Sequence, residues 1–283
     1  MIQLDQAGRR AFLATLSLGA MAAATCRLAP FALAADKSGL KLGIQLYSLR
    51  GYTDTGVALK HAKDLGFEQV EFYSGMFPLE STPEQIAAVK KQVADLGLTM
   101  SAHGVNRLTK DAQSNRKVFE FAKAAGFRNI TADPDPDSFD SVDDLVKEFD
   151  IRVAIHNHGP THRYNKVVDV LRAIEKVDPR IGACADLGHF IRSGEEPTQV
   201  VRALKGRLYG VHLKDFAEMK DKTQGVILGK GHLNVAAVFQ ALVDTGFPSD
   251  GALSLEYEEH PENPLAEIRE CVEVSRAALK KLG

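Results

Sequence analysis

Eight times along this chain a short apolar segment ends in polar residues and gives way to a longer amphipathic one, and few folds accept that pattern. From Leu42 onward the strand-like segments are Leu42–Tyr47, Gln69–Tyr73, Leu98–His103, Arg128–Asp133, Ile151–His158, Ile181–Asp186, Leu208–Lys214 and Ala252–Glu258. Helical periodicity runs through Thr55–Leu65, Pro83–Leu96, Ala112–Ala125, Tyr164–Val177, Asn234–Thr245 and Leu265–Leu282. Gly66, Gly97, Gly126 and Gly246 each follow such a run, where a glycine C-cap belongs. Strands alternating with helices predict a parallel sheet. Eight such units in about 245 residues predict a closed (β/α)8 barrel, the TIM barrel, as a single α/β domain over residues 36–283.

The strands carry a finer signal. Barrel side chains alternate between the interior and the helix layer. In the fifth strand Ile151, Val153 and Ile155 share one face, and Ala154, His156 and His158 the other. The seventh sets Tyr209, Val211 and Leu213 against Gly210, His212 and Lys214; the eighth sets Leu253, Leu255 and Tyr257 against Ala252, Ser254, Glu256 and Glu258. Bulky residues thus face the helices, while small residues leading to polar ones face inward. An open, doubly wound sheet has no need of polar inner ends on nearly every strand.

Those inner ends are Gln45, Tyr47, Glu71, His103, Asp133, His156, His158, Asp186, His212, Lys214, Glu256 and Glu258. They fall at the C-terminal mouth, where barrel active sites sit. A lone strand histidine is usually a core residue, Asp186 alone could be an N-cap, and Lys214-Asp215 could be a charged loop. Imidazoles interleaved with carboxylates on successive strands instead fit a divalent cation. We assign His156, Asp186, His212 and Glu256 as its ligands, one from each of four consecutive strands. Two imidazoles and two carboxylates suit Mn, Co, Fe, Zn or Ni, with Mg less natural. Gln45, Tyr47, Glu71 and His103 are expected to contact substrate, although structural or rim roles remain open for Glu71, Asp133 and Glu258.

Bulk properties exclude other classes. With 35 Lys+Arg against 37 Asp+Glu, the net charge is −2, leaving no basic surplus for nucleic acid or anionic lipid. Past the N-terminus no apolar run reaches the roughly 20 residues of a membrane span. The first 35 residues read as an address instead: Arg9-Arg10 precede Ala11-Phe12-Leu13, an alanine-rich apolar stretch comes next, and Ala32-Leu33-Ala34 offers a cleavage site. The run resembles a twin-arginine export signal, which implies a twin-arginine translocase as transient partner and a periplasmic destination. A lipoprotein reading through Cys26 is weaker, because Ala23-Ala24-Thr25 makes a poor lipobox. The mature chain keeps Cys184 and Cys271, whose pairing nothing in the sequence requires. A homo-oligomer is compatible with the sequence.

The motifs together resemble the xylose isomerase-like TIM barrel family, the sugar phosphate isomerases/epimerases. They are Gly43-Ile-Gln-Leu-Tyr-Ser-Leu-Arg50, Gly66-Phe-Glu-Gln-Val-Glu71, Asp186-Leu-Gly-His189, Val211-His-Leu-Lys-Asp215, Leu228-Gly-Lys-Gly231 and Leu253-Ser-Leu-Glu256. The resemblance implies metal ligation by Asp186, His212 and Glu256, with His189 beside the metal. Members of that family usually place a glutamate on the fifth strand, where this chain reads His156-Asn157-His158. That substitution resembles the inosose dehydratase-like and 3-keto-glycoside lyase-like branches.

The expected activity is that of a metal-dependent isomerase or epimerase acting on a carbohydrate. It would take a proton from the carbon next to a carbonyl, with Glu256, His158 or His189 as base and Lys214 steadying the developing oxyanion. Elimination of a β-substituent from a keto-sugar is the alternative outcome of the same step. Two other classes are weighed: DNA repair like that of endonuclease IV, disfavoured by charge and export, and a non-catalytic periplasmic sugar-binding barrel.

Overall fold

The computed structural model describes residues 38–282; the expected export signal and Cys26 lie outside them. Eight parallel strands close into a barrel: Leu42–Gln45, Gln69–Phe72, Thr99–Leu108, Asn129–Pro134, Arg152–His156, Ile181–Asp186, Leu208–Leu213 and Ala252–Leu255. Closure pairs the first strand with the eighth, Leu42 opposite Leu253 and Ile44 opposite Leu255. The predicted (β/α)8 fold is therefore the observed one. After the seventh strand a small antiparallel hairpin, Asp215–Phe216 with Gly225–Val226, stands on the mouth. No helix among the described residues is long and apolar enough to cross a membrane.

Local chemistry starts and stops the helices. Asp54 and Asp111 accept backbone N–H bonds at two N-termini, and Thr82 forms a capping box with Gln85 ahead of Pro83–Asp95. Gly66 closes the first helix in the left-handed region at φ 87°. The expected Tyr164–Val177 run shortens to Val167–Ile174, because residues 157–166 are spent on a loop over the mouth. Three helices unassigned from sequence complete the outer layer: Phe139–Phe149, Leu187–Arg192 and Pro197–Ala203.

The alternation holds where it matters most. Val153, Ile155, Val211, Leu213, Leu253 and Leu255 are buried against the helices. Inside, space decides the residue: a Cβ on Gly210 would lie 2.8 Å from Cys184 Sγ. Cys184 faces that interior and Cys271 lies in the last helix, Leu265–Leu279; both are free, buried thiols, so no disulfide joins them.

The third strand breaks the simple alternation. Register shifts between Val70 and Glu71, and again between His103 and Asn106, place Ala102 beside the inward Glu71 and His103 beside the outward Phe72. A bulge inserts a residue and reverses the facing of the residues after it. His103, expected to line the mouth, instead packs in the helix layer with ring centroids 5.0 Å from Phe121 and 5.6 Å from Phe127. Its Nε2 donates to Phe77 O at 2.9 Å and its Nδ1 accepts from Asn106 Nδ2 at 3.2 Å. Burial lowers its pKa, keeping the ring neutral.

This placement makes His103 structural. His103→Ala is expected to cost about 2–5 kcal/mol in a denaturant titration through the cavity and the orphaned Phe77 carbonyl, with metal affinity unchanged. Lost ligand binding at unaltered stability would contradict it.

Candidate functional site

Four strand ends meet at one point. His156, Asp186, His212 and Glu256 each offer a ligand atom, and these atoms all lie within 4.8 Å of one another in a buried cluster. His156 ends the fifth strand, Asp186 the sixth, His212 lies in the seventh and Glu256 follows the eighth. Asp186 also caps the helix Leu187–Arg192, its side chain accepting from His189 N at 2.7 Å. The structural and ligating readings of this aspartate are thus both open to one side chain, since its second oxygen remains for other work.

That second oxygen, Asp186 Oδ2, and His156 Nδ1 are buried without a hydrogen-bond partner. Lys214 Nζ lies 3.1 Å from Asp186 Oδ2 as an ion-pair contact, but not along a hydrogen-bonding direction. Unpaired buried polar atoms are costly. Two in one cluster, with mixed imidazole and carboxylate donors, fit a divalent cation. The donor set therefore suits the metal that the sequence implies.

Behind the cluster sits Glu71, wholly buried at the barrel centre. It accepts from Thr131 Oγ1 and Ser254 Oγ, each at 2.6 Å, and its Oε2 lies 3.1 Å from His212 Nε2. Burial raises a carboxylate's pKa, but the His212 charge and these donors outweigh it, so Glu71 stays ionised. The expected substrate contact is replaced by a supporting one. Glu71 fixes the Nε2 proton of His212 and leaves Nδ1 to face His156 and Glu256, at 3.0 and 3.2 Å.

Lys214 is the buried cation of the mouth. Its Nζ donates to Glu256 Oε2 at 2.7 Å and lies 3.1 Å from Glu258 Oε2. Burial alone would discharge it; the carboxylates of Asp186, Glu256 and Glu258 instead raise its pKa well above the usual lysine value. Reciprocally, the penalty of burying Glu256 is outweighed by Lys214 and His212, which hold its carboxyl well below the ordinary range. Gly188 makes this packing possible, since a Cβ there would come within 2.5 Å of Lys214 Cγ.

His189 and His158 flank the cluster. Burial first, then the Lys214 charge, pushes His189 down to about 2, so its imidazole is neutral. Its Nδ1 accepts from Arg192 Nη1 at 3.3 Å, which puts its own proton on Nε2, 3.8 Å from Asp186 Oδ2. His158, half-buried, stacks 4.6 Å from His156 and 4.7 Å from His162, and burial lowers its pKa too. Gln45 is buried, accepting from Tyr47 N at 3.1 Å and reaching Gly104 O at 3.4 Å. Tyr47 lies past the strand on a short 3-10 turn at the rim.

Two positioning residues escape sequence reasoning. Asn157 bonds both backbone groups of Asp186, donating to its O at 3.0 Å and accepting from its N at 2.8 Å. Its signal is hidden because strand alternation assigns the residue between His156 and His158 to the outer face. Asp215 reads as loop charge, yet its carboxylate accepts from Phe216, Gly229, Gly231 and Leu233 N at 2.8–3.0 Å. The Leu228-Gly-Lys-Gly231 run is its counterpart: a Cβ on Gly231 would collide with Phe216 O. Asp133 stays on the rim, 3.3 Å from His162 Nε2 and 3.7 Å from Arg163 Nε.

Comparison with known proteins agrees with this architecture. Residues 136–278 match the model of a family described as xylose isomerase-like TIM barrel. The chain is 24% identical over 176 residues to a 3-oxo-isoapionate decarboxylase of Pectobacterium atrosepticum, covering 57% of this chain and 62% of that protein. It is 31% identical over 140 residues to an inosose dehydratase of Clostridium tetani, covering 43% and 46%. Each match thus spans less than two thirds of the relative. Among solved structures, a 3-keto-D-glucoside 4-epimerase from E. coli shares the fold at 17% identity, with a TM-score of 0.66 over 84% of this chain and 99% of that one.

Calorimetry with Mn, Co and Zn salts tests the cluster. About one equivalent is expected to bind, to be lost in His212→Ala, and to bind roughly 10–100-fold more weakly in Glu71→Gln. Wild-type protein that binds none of the three would remove the metal assignment.

Proposed function

Because the chain belongs to the xylose isomerase-like TIM barrel family, we propose that it is a divalent-metal-dependent isomerase or epimerase that removes a proton next to the carbonyl of a keto-sugar. The observation that carries this reading is the coupled pair at the mouth: an ionised, buried Glu256 held 2.7 Å from the Lys214 ammonium, within the four-residue donor cluster. His156, Asp186, His212 and Glu256 would hold the metal, which when bound supplies Lewis acidity to the substrate's carbonyl oxygen.

The chain's own groups account for the rest. Glu256 is ionised at neutral pH and can accept the proton as the C–H bond breaks; the electron pair moves onto the carbonyl oxygen. Lys214, held charged by three carboxylates, donates a hydrogen bond to that oxygen as its charge grows. Neutral His158 can serve as the base instead, whereas His189, with Arg192 on its Nδ1 and its proton on Nε2, can only offer a hydrogen bond. Returning the proton to the former carbonyl carbon, as the adjacent hydroxyl proton passes to the former carbonyl oxygen, gives an isomer, and returning it to the opposite face of the first carbon gives an epimer.

Elimination is the second reading, favoured by one residue. With His156 on the fifth strand, a two-glutamate proton shuttle has no second carboxylate there. The same electron pair would then return to carbon and expel a β-substituent, and Glu256 passes the proton it took to the departing oxygen. Similarity to inosose dehydratases supports this course.

Incubating metal-loaded protein with keto-sugars in deuterium oxide tests the common step. Exchange of the proton next to the carbonyl is expected, and Glu256→Gln should slow it at least ~100-fold. Full turnover by a Glu256→Gln protein that keeps its metal would refute the assignment. The products then separate isomer from alkene.

Export to the periplasm through the twin-arginine route is part of the same proposal, resting on Arg9-Arg10 and the apolar stretch behind them. Replacing both arginines by lysine should leave the full-length precursor in the cytoplasmic fraction. Unimpaired export of that variant would rule the route out.

A further inference from the structure

The segment that follows strand seven reaches back to the helix that follows strand six, and one side chain makes the tie. Arg192 ends the helix Leu187–Arg192. Its Nε donates to Asp221 O at 2.9 Å and its Nη2 to Asp221 Oδ1 at 3.3 Å, while the guanidinium lies 5.5 Å from the centre of the Phe216 ring. The remaining branch, Nη1, turns the other way and donates to His189 Nδ1 at 3.3 Å. Residues 218–223 otherwise bond to one another: Glu218 N donates to Thr223 Oγ1 at 3.0 Å, and Lys220 N to Glu218 O at 2.9 Å. One guanidinium thus touches the tip of the segment with one edge and the histidine beside the metal cluster with the other.

Isolated surface ion pairs contribute little. This one differs in burial and in shape. Arg192 keeps 25% of its side chain exposed, against 52% for Asp221, so the cation is the sheltered partner. A planar fork holds its donors in fixed directions, and serving Asp221 and His189 together fixes where it lies. If Asp221 moves away, the fork is free to follow and Nη1 leaves His189. A neutral imidazole whose Nδ1 is unoccupied can carry its proton on either nitrogen and can turn about its side chain. With Arg192 in place the proton stays on Nε2, 3.8 Å from Asp186 Oδ2 at the edge of the metal cluster.

We infer that Arg192 is a positioning residue that couples the seating of residues 217–224 to the His189 Nε2–H donor, so that the segment over the mouth sets how firmly a substrate oxygen is held beside the metal. The substrate half of this rests on the keto-sugar reading above; the coupling between segment and histidine does not. Substrate grip is what the coupling governs, because Glu256 and Lys214 are fixed by their own contact at 2.7 Å. Selectivity follows from the geometry. A ligand that keeps the segment from seating loses its contacts with the segment and the His189 hydrogen bond together, and is rejected more strongly than by bulk alone.

Lys220 and Lys222 flank Asp221 and are exposed, so trypsin reads the seating of the segment directly. Cleavage there, followed by mass spectrometry, tracks the population of the unseated form. Arg192→Ala is expected to speed it at least ~10-fold, and His189→Ala about two- to tenfold, although Arg192 stands between His189 and the segment. His189→Asn, whose amide oxygen can take the place of Nδ1, should be cut like the wild type. Wild-type cleavage of His189→Ala, or cleavage of His189→Asn as fast as of His189→Ala, would overturn the coupling whatever the substrate is. The kinetic arm uses a keto-sugar whose proton the wild type exchanges in deuterium oxide. Asp221→Ala should raise its KM about five- to tenfold and keep kcat within about twofold, as a lost binding contact does. A fall in kcat at unchanged KM would overturn the role in substrate grip. If the wild type exchanges no keto-sugar, the keto-sugar reading falls, and trypsin still decides the coupling.

Discussion

A carboxylate buried at the centre of a parallel barrel must be compensated, and the contact between Glu71 and His212 does this. Thr131 and Ser254 take the remaining lone pairs, so strands two, four, seven and eight are joined through one side chain. The upper layer builds on that contact. His212 cannot rotate without abandoning Glu71, so its Nδ1 stays aimed at His156 and Glu256. Glu256 in turn fixes Lys214, and Lys214 draws Asp186 and Glu258 around itself. A site assembled from four separate strands thereby behaves as one unit, with its charges settled before any ligand arrives.

Burial sorts the ionisable groups of the mouth into distinct states. His156 and His189 are driven neutral, chiefly by desolvation and secondarily by nearby positive charge from His212 and Lys214 respectively. Lys214 and Glu256, equally buried, keep opposite charges because each is the other's partner. Neutral imidazoles therefore stand beside an ion pair within a few ångströms. Placing unlike titratable groups in unlike environments is how one cleft offers an acceptor and a donor at the same pH.

The barrel and the cluster are legible in the sequence because both arise from period-two alternation ended at a fixed level. Val211 and Leu213 against Gly210 and His212 is such a pattern, and the structure keeps it. Features that depend on a break in that period do not read. The register shift beside Glu71 sends His103 to the opposite face, and sequence spacing contains no mark of a bulge. Glu71 is visible but its depth is not, since alternation gives the facing of a residue and not its layer. Asn157 lies past the last strand pair, where facing no longer alternates. Phe139–Phe149 goes unassigned because its start lies among Asp133-Pro-Asp-Pro-Asp-Ser138, a run of turn residues that conceals where the helix begins.

Asp215 binds four main-chain N–H groups from the two ends of the segment that crosses the mouth after strand seven. Both feet of that segment are thus nailed to one carboxylate, next in sequence to Lys214. The stretch between Ala217 and Gln224 bears on the site through Asp221, which accepts from Arg192, and leaves the Lys214–Glu256 contact to the clamp. Over generations, insertions and deletions there can reshape the rim, and so what the protein admits, while the distance from Lys214 to Glu256 stays constant. The clamp lets access to the site drift while its chemistry is conserved.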